Sequence, residues 1–421
     1  MYLLTLIFFL SASIFLVKFT AKNWMNPGNV MMSFWAFFLI ASLLFLHKYE
    51  WDYLGLFWII SLCLIFNFGI HFGISYSKRG LTSTKQASCK HEFLRSGSWN
   101  VIIIFIIIGL LKSIIEVSLY GFNLSMIFDL NNLVDINTEI AYRRYNGASY
   151  SNVILQIMNI FVYSAPLCGG YVLIYSKSSK EKIIALCSLV PVILNLMITN
   201  TKAGLIASVF LWVSGCFVGY LNARRTFMKF KKRQVILGVV SVFLLLAVLY
   251  SSMLFRIGDF SSNTMNIVND KFLVYALGHV PSFDLWLSQY YTNDNYYLGK
   301  YTFLGVIDAF GWGTRDQGVY TFLQGSLSNV FTAFRGLIED FGIIGAMVFI
   351  AILGFISGIS FNSVVSGRNN KISITLLASI YFFIFYSFII SPWTYNSYIL
   401  VFFVFYVFLF LSSKKRELRC D

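Results

Sequence analysis

Apolar residues run through this chain in long blocks, with most polar and charged residues confined to the gaps between them. The blocks fall near residues 2–17, 29–46, 53–76, 99–119, 151–175, 183–198, 204–221, 235–254, 336–360, 372–391 and 397–412. Crossing the hydrocarbon layer of a bilayer, roughly 30 Å thick, takes about 20 helical residues, and blocks of this size meet that need. The pattern predicts an all-α polytopic integral membrane protein of about eleven transmembrane helices. No blade, solenoid or heptad period interrupts it, and the two halves lack the paired broken helices of an inverted-repeat carrier.

Composition agrees with the pattern. Hydrophobic residues make up 58% of the 421 positions and charged residues 12%, against about 25% charged in soluble domains. Such a chain cannot cover its own surface for water. A soluble enzyme, a peripheral helix and a nucleic-acid-binding domain are excluded, the last despite a net charge of +14. The first block has no basic leader and no small-residue cleavage site, so it is expected to remain as an anchor.

Charge placement sets the orientation. With the amino terminus outside, the loops at 18–28, 77–98, 176–182, 222–234 and 361–371 and the tail from 413 are cytoplasmic. They hold 22 of the 32 Lys and Arg residues. Arg224, Arg225, Lys229, Lys231, Lys232 and Arg233 form the densest group, followed by Lys414, Lys415, Arg416 and Arg419. The positive-inside rule then gives an outer amino terminus and a cytoplasmic carboxyl terminus. Acidic residues fall the other way, 13 of 18 outside, which points to the outer face as the side that carries chemistry.

Two outer segments exceed what a connection needs. Residues 120–150 carry Asp129, Asp135, Glu139, Arg143 and Arg144, and residues 255–335 form a long excursion rich in Tyr, Trp, Phe and Leu. Loops of this size are functional or disordered, and the second lacks a disordered composition. It is expected to be an ordered lid over a cavity, with short helices at Phe272–Leu277 and Tyr301–Phe310. Cys63, Cys168, Cys187 and Cys216 fall in spans, Cys89 in a cytoplasmic loop and Cys420 in the tail, so no outer disulfide is expected. His47, His71, His91 and His279 are scattered, and neither a phosphate-binding loop nor a D-x-D pair occurs. No metal and no cofactor are expected.

The densest chemistry lies in GVYTFLQGSLSNVFTAFRGLIEDFGIIGAMVFIAILGFISG, Gly318–Gly358. Arg335, Glu339 and Asp340 stand together at the outer end of a span, where ionisable groups need partners or water. Arg335 and Glu339 are four apart and share a helix face, the spacing of a structural ion pair. Asp340 projects about 140° from Arg335 and needs another explanation. Gly342, Gly345, Gly354 and Gly358 permit close helix packing.

The run NVFTAFRGLIEDFGIIG, Asn329–Gly345, resembles the signature of the bacterial oligosaccharide repeat-unit polymerases, the Wzy-type O-antigen polymerases. YALGHVPSFDLWL at Tyr275–Leu287 and GKYTFLGVID at Gly299–Asp308 are similar to that family's lead-in, and the expected topology fits as well. Where members carry a small-residue-Arg-Gly run, this chain reads Thr199, Asn200, Thr201, Lys202, Ala203, Gly204, so Lys202 keeps the charge without the two-pronged donor. The R-x10-G spacing of some members is absent from both outer loops.

The resemblance implies an inverting, metal-free glycosyltransferase in the bacterial inner membrane, with its site facing the periplasm. It implies an undecaprenyl-pyrophosphate-linked oligosaccharide as donor, a second lipid-linked repeat unit as acceptor, and membrane lipid and a chain-length regulator as partners. Departing pyrophosphate calls for cationic donors. Lys202, Arg256, Arg315 and Arg335 are the candidates, ahead of Arg143 and Arg144. The acceptor hydroxyl calls for a base, for which Glu339, Asp340, Asp259 and His279 are available. Tyr320 is a further sugar-binding candidate, with Tyr291, Tyr296, Tyr297 and Tyr301.

Each candidate also has a plain structural reading. Arg256 can anchor a span in headgroups, Arg315 can pair with Asp316, and His279 beside Pro281 can be an ordinary loop residue. Lys112 and Glu116, four apart within a span, are expected to neutralise one another. An interfacial aromatic belt accounts for most of the tyrosines. Two rival activities share the topology: an O-antigen ligase, which has the same donor and lipid A core as acceptor, and a polysaccharide flippase, whose path would need midplane charge beyond Lys112 and Glu116.

The charge distribution makes a direct prediction. A reporter active only in the periplasm should be active when fused after Asp308 and silent when fused after Lys229; the opposite pattern reverses the orientation.

Overall fold

The computed structural model describes residues 24–79, 92–94, 97–123, 125–126, 129–145, 152–226, 228, 232–257, 261–290, 296–313, 328, 330–368 and 370–415. The expected span 2–17 and Asp259, Tyr291, Arg315, Asp316 and Tyr320 lie outside the described residues, as do the side chains of Arg144 and Arg256.

Helices dominate. Along the first half run α1 (Pro27–Phe45), α2 (Leu54–Arg79), α3 (Ser98–Leu119), α4 (Leu130–Tyr145), α5 (Val153–Leu173), α6 (Ser179–Cys187), α7 (Val190–Thr199) and α8 (Lys202–Arg224). The second half adds α9 (Lys232–Ile257), α10 (Ser262–Leu277), α11 (His279–Ser288), α12 (Leu304–Ala309), α13 (Thr332–Val365), α14 (Lys371–Tyr386) and α15 (Asn396–Ser412). One short antiparallel pair, β1 (Glu92–Leu94) with β2 (Ser413–Lys415), is the sole described sheet. Among the described residues, seven segments are long and apolar enough to cross a membrane: α1, α2, α3, α5, α6 with α7, α8 and α13. Helices α14 and α15 and Gly238–Leu254 of α9 are apolar but shorter.

Local chemistry explains where helices start. Asn26 accepts from the Gly28 amide ahead of Pro27, Asn152 from Ile154 and Asn370 from Ile372, each an N-cap that satisfies an orphan donor. Ser178 and Glu181 close a capping box on α6. The block expected at 183–198 is two helices, interrupted at Ser188–Leu189. Pro191 in the first turn of α7 provides the reason, because proline donates no N–H to the preceding turn and starts a helix better than it continues one.

Small residues set how closely the spans approach. Gly69 and Gly73 of α2 face Gly354 and Gly358 of α13 so tightly that a Cβ at any of the four would collide with a backbone carbonyl oxygen opposite. Gly170 of α5 and Gly215 of α8 meet in the same way. In lipid, where apolar contact alone gives little drive to associate, such seams let backbones pack by van der Waals contact. Gly354 and Gly358 thus act as their spacing suggests, whereas Gly342 and Gly345 lie away from this seam.

Loops expected on the same side meet one another. At one end, Asp52, Tyr53 and Gly55 bond Asp284, Ser391 bonds the Thr302 carbonyl, and Asn200 bonds Asn137. At the other, Trp24 bonds the Met228 carbonyl and Arg368 the Ser77 carbonyl, in the Lys/Arg-rich half of the pattern. Exposed Phe37, Phe68, Phe72, Phe243, Phe403 and Phe410 lie on the outside of the bundle, as expected where lipid rather than water is the solvent.

The packing predicts a contrast between two glycines. Gly354→Ala should lower the thermal midpoint in detergent, at a cost of about 1–3 kcal/mol for overpacking. Gly238→Ala, where nothing lies within 4 Å of the new Cβ, should be neutral or stabilising by up to about 1 kcal/mol. Equal midpoints would show that the α2–α13 seam does not need its glycines.

Candidate functional site

Helix α13 is two helices joined at a break. Gly342 has φ 71° and ψ 176°, far from helical values, a backbone that glycine adopts at little cost. A Cβ there would sit 2.6 Å from the Tyr296 ring. The short helix before the break carries Arg335, Glu339 and Asp340; the apolar span follows it. Thr332, at the start, also has a positive φ of 70°, a strained conformation for a β-branched residue.

The break has a direct structural consequence. A helix end leaves its last carbonyls without intrahelical donors, and here the amides of Tyr297 and Leu298 bond the carbonyls of Glu339 and Asp340 at 3.3 and 3.2 Å. The Asp340 carboxylate completes the attachment. It accepts the Tyr301 amide at 3.0 and 3.2 Å and the Thr302 amide at 2.6 Å, and the residue is fully buried. Asp340 therefore fastens the 297–302 turn onto the short helix, which explains why it points away from Arg335.

Arg335 and Glu339 form the expected ion pair, Nε to Oε1 at 3.0 Å, with side chains only 10% and 12% exposed. The guanidinium lies 4.2 Å from the Phe331 ring centre and 5.0 Å from that of Trp286, within cation–π range. Glu339 Oε2 is buried and accepts no hydrogen bond. Burial, then the nearby Glu339 carboxylate, pushes the Tyr301 phenol up to about 12, so it stays protonated near neutral pH. Tyr290 is shifted upward by burial, the Tyr296 ring and Glu339. Trp286, Tyr290, Tyr297 and Tyr301 thus gather around one buried ion pair.

The other candidates separate. His279 opens α11 but lies among Trp35, Phe38 and Phe388, with ring centres 6.1, 4.7 and 5.2 Å away. Both its ring nitrogens are buried without a hydrogen bond, and burial lowers its pKa to about 3. It is a neutral core group behind the ion pair. Lys202 starts α8 at a different polar cluster, where Asn195 bonds Thr201 and also receives Lys112 Nζ at 2.6 Å. Lys112 reaches Glu116 at 2.6 Å as well, the mutual neutralisation that their spacing implies. Arg143 pairs with Glu139 at 2.6 Å on α4. Among the described residues, no group of three His, Cys, Asp or Glu side chains is placed to hold a metal ion.

Sequence reasoning singled out neither Trp286 nor Asp284, both on α11. Asp284 is almost fully buried and accepts the amides of Asp52, Tyr53 and Gly55 at 2.9, 3.0 and 2.6 Å. The available signal was an acid two positions before a tryptophan in the mostly apolar VPSFDLWL.

A pH test follows for His279. Its folded pKa of about 3 lies below the ordinary value near 6.5, so between these values the unfolded chain binds more protons. The folded state is then fully favoured above about pH 6.5 and loses stability as pH falls. At pH 5 the loss should be about 2 kcal/mol relative to pH 7, read as a lower thermal midpoint in detergent. His279→Phe should remove that part of the acid sensitivity, and an unchanged pH slope would mean that His279 is solvated or paired.

No family model, curated protein or solved structure matches the chain.

Proposed function

We propose that this protein is a surface-polysaccharide polymerase of the Wzy type: a membrane-embedded glycosyltransferase that moves a growing glycan from undecaprenyl pyrophosphate to a lipid-linked repeat unit on the periplasmic side of the inner membrane. The observation that carries the reading is the Arg335–Glu339 pair, enclosed by aromatic rings and roofed by a turn that Asp340 fastens. It falls inside the run that resembles the polymerase signature. Two positive-φ residues, Thr332 and Gly342, bracket it, and backbone strain of this kind concentrates at functional sites.

Each residue then has a role. The acceptor hydroxyl oxygen attacks the anomeric carbon, the bond from that carbon to the pyrophosphate oxygen breaks, and the hydroxyl proton passes to a carboxylate. Glu339 suits that task better than Asp340, because its Oε2 is uncommitted whereas Asp340 is engaged by backbone amides. Arg335 meets the charge that develops on the pyrophosphate, since a guanidinium is a fixed cation whose planar fork of donors suits phosphate oxygens. Asp340 is a positioning residue that keeps Tyr297 and Tyr301 over the pair. Against a flippase stands the midplane charge, which Lys112 and Glu116 already cancel between themselves.

Lipid-linked and lipid A-linked saccharide lengths in a polymerase-deleted strain test the assignment. Arg335→Ala should abolish polymer with protein still in the membrane, and Arg335→Lys should retain part of the activity if charge alone matters. Glu339→Gln should lower the rate by about 10²–10⁴ without exposing the 297–302 turn to protease. Asp340→Asn should reduce polymer and also open that turn to cleavage. Normal ladders from Arg335→Ala at matched expression would remove the pair from the site, and transfer to lipid A core without polymerisation would make the protein a ligase.

A further inference from the structure

A second feature lies at the same end of the bundle, in the link between α1 and α2. His47, Tyr49, Trp51 and Tyr53 line an open depression of about 420 Å³. Every second residue of HKYEWDY contributes a ring, and Lys48, Glu50 and Asp52 alternate with them. The Trp51 and Tyr53 rings are stacked, 6.5 Å apart and 25° from parallel. His47 Nδ1 is tied to the Leu44 carbonyl at 3.0 Å and Trp51 Nε1 donates to the Leu46 carbonyl at 3.2 Å, so both rings are held in place.

The backbone beneath them is strained and deliberately fixed. Tyr53 has φ 65°, a costly conformation for an aromatic residue that persists only where the surroundings enforce it. The enforcement comes from Asp284, whose carboxylate accepts three nearby amides, those of Asp52, Tyr53 and Gly55. Gly55 is required for this approach, since a Cβ there would lie 2.6 Å from the Asp284 Cα. Two residues along the same helix, Trp286 covers the Arg335 guanidinium at 5.0 Å. One ten-residue helix, α11, thus registers the aromatic depression against the candidate catalytic pair.

We infer that the depression formed by His47, Tyr49, Trp51 and Tyr53 is a saccharide subsite that holds a sugar ring of the glycan delivered to Arg335 and Glu339. The inference rests on the proposed reaction for the identity of the glycan. Flat rings present faces to the C–H groups of a pyranose, and the exposed Lys48, Glu50 and Asp52 that alternate with them along the link offer donors and acceptors to sugar hydroxyls.

The test uses the full-length protein in lipid nanodiscs and, as probe, the lipid-free oligosaccharide released by mild acid from the undecaprenyl-linked pool of the source strain, titrated by saturation-transfer NMR. Trp51→Ala and Tyr49→Ala should each weaken binding about three- to tenfold, the range expected for one lost aromatic contact, and Trp51→Phe and Tyr49→Phe should restore most of it. Tyr49 is 41% exposed, so its variants keep the test valid should Trp51→Ala fail to fold. Arg335→Ala should leave this binding largely intact. Unchanged titrations in both alanine variants, or no binding by the unaltered protein, would overturn the subsite. Quenching of Trp51 by brominated lipid that soluble oligosaccharide does not relieve would overturn it too, in favour of a membrane anchor. Glycan binding that depends on Trp51 in a protein that makes no polymer would keep the subsite and overturn the reaction instead.

Discussion

Asp340 ties the short helix before the break in α13 to the turn that covers it. Its carboxylate takes the amides of Tyr301 and Thr302, and the main-chain carbonyls of Glu339 and of Asp340 itself take those of Tyr297 and Leu298. The two carbonyl bonds would not form in a continuous helix, where the Glu339 and Asp340 carbonyls would bond amides one turn ahead. The interruption at Gly342 releases them, and only glycine combines that φ with the Tyr296 ring above it. The helix break, the docked turn and the orientation of the aromatic roof therefore form one arrangement.

That arrangement makes a buried ion pair tolerable. Removing Arg335 and Glu339 from water carries a desolvation cost that their mutual attraction offsets only with good geometry. The 3.0 Å bond and the rings of Phe331 and Trp286 supply part of it. What remains is a carboxylate oxygen without a hydrogen bond, a condition that favours uptake of a proton or contact with a hydroxyl. Structural ion pairs in the same chain look different. Lys112 is satisfied by both Glu116 and Asn195, as a group that serves packing alone should be.

The spans give this end its rigidity. The α2–α13 glycine seam fixes the long helix that begins at the break, and α11 bridges from the α1–α2 link to Arg335 through Asp284 and Trp286. Ala333 bonds the Ser387 carbonyl, and Trp35 bonds the Ser387 hydroxyl, so α1, the start of α13 and the end of α14 converge there. Catalytic geometry of the kind proposed needs its groups held to about half an ångström, and packing from several helices is how a membrane bundle provides it.

Local periodicity alone determined the apolar blocks, their alternation between a basic and an acidic end, and the Arg335–Glu339 and Lys112–Glu116 pairs, because each depends on residues within one helix or on composition summed over a loop. Only the tertiary structure decided what Asp340 does, since its partners lie 38 and 39 residues away. The same holds for Asp284, whose amide partners are 229 to 232 residues distant, and for His279, which becomes a neutral core group once Trp35, Phe38 and Phe388 from other elements close on it. A carboxylate or imidazole in a sequence can equally be base, ligand or brace. Which one it becomes is set by the donors and the dielectric that distant segments bring to it, and no spacing along the chain records those.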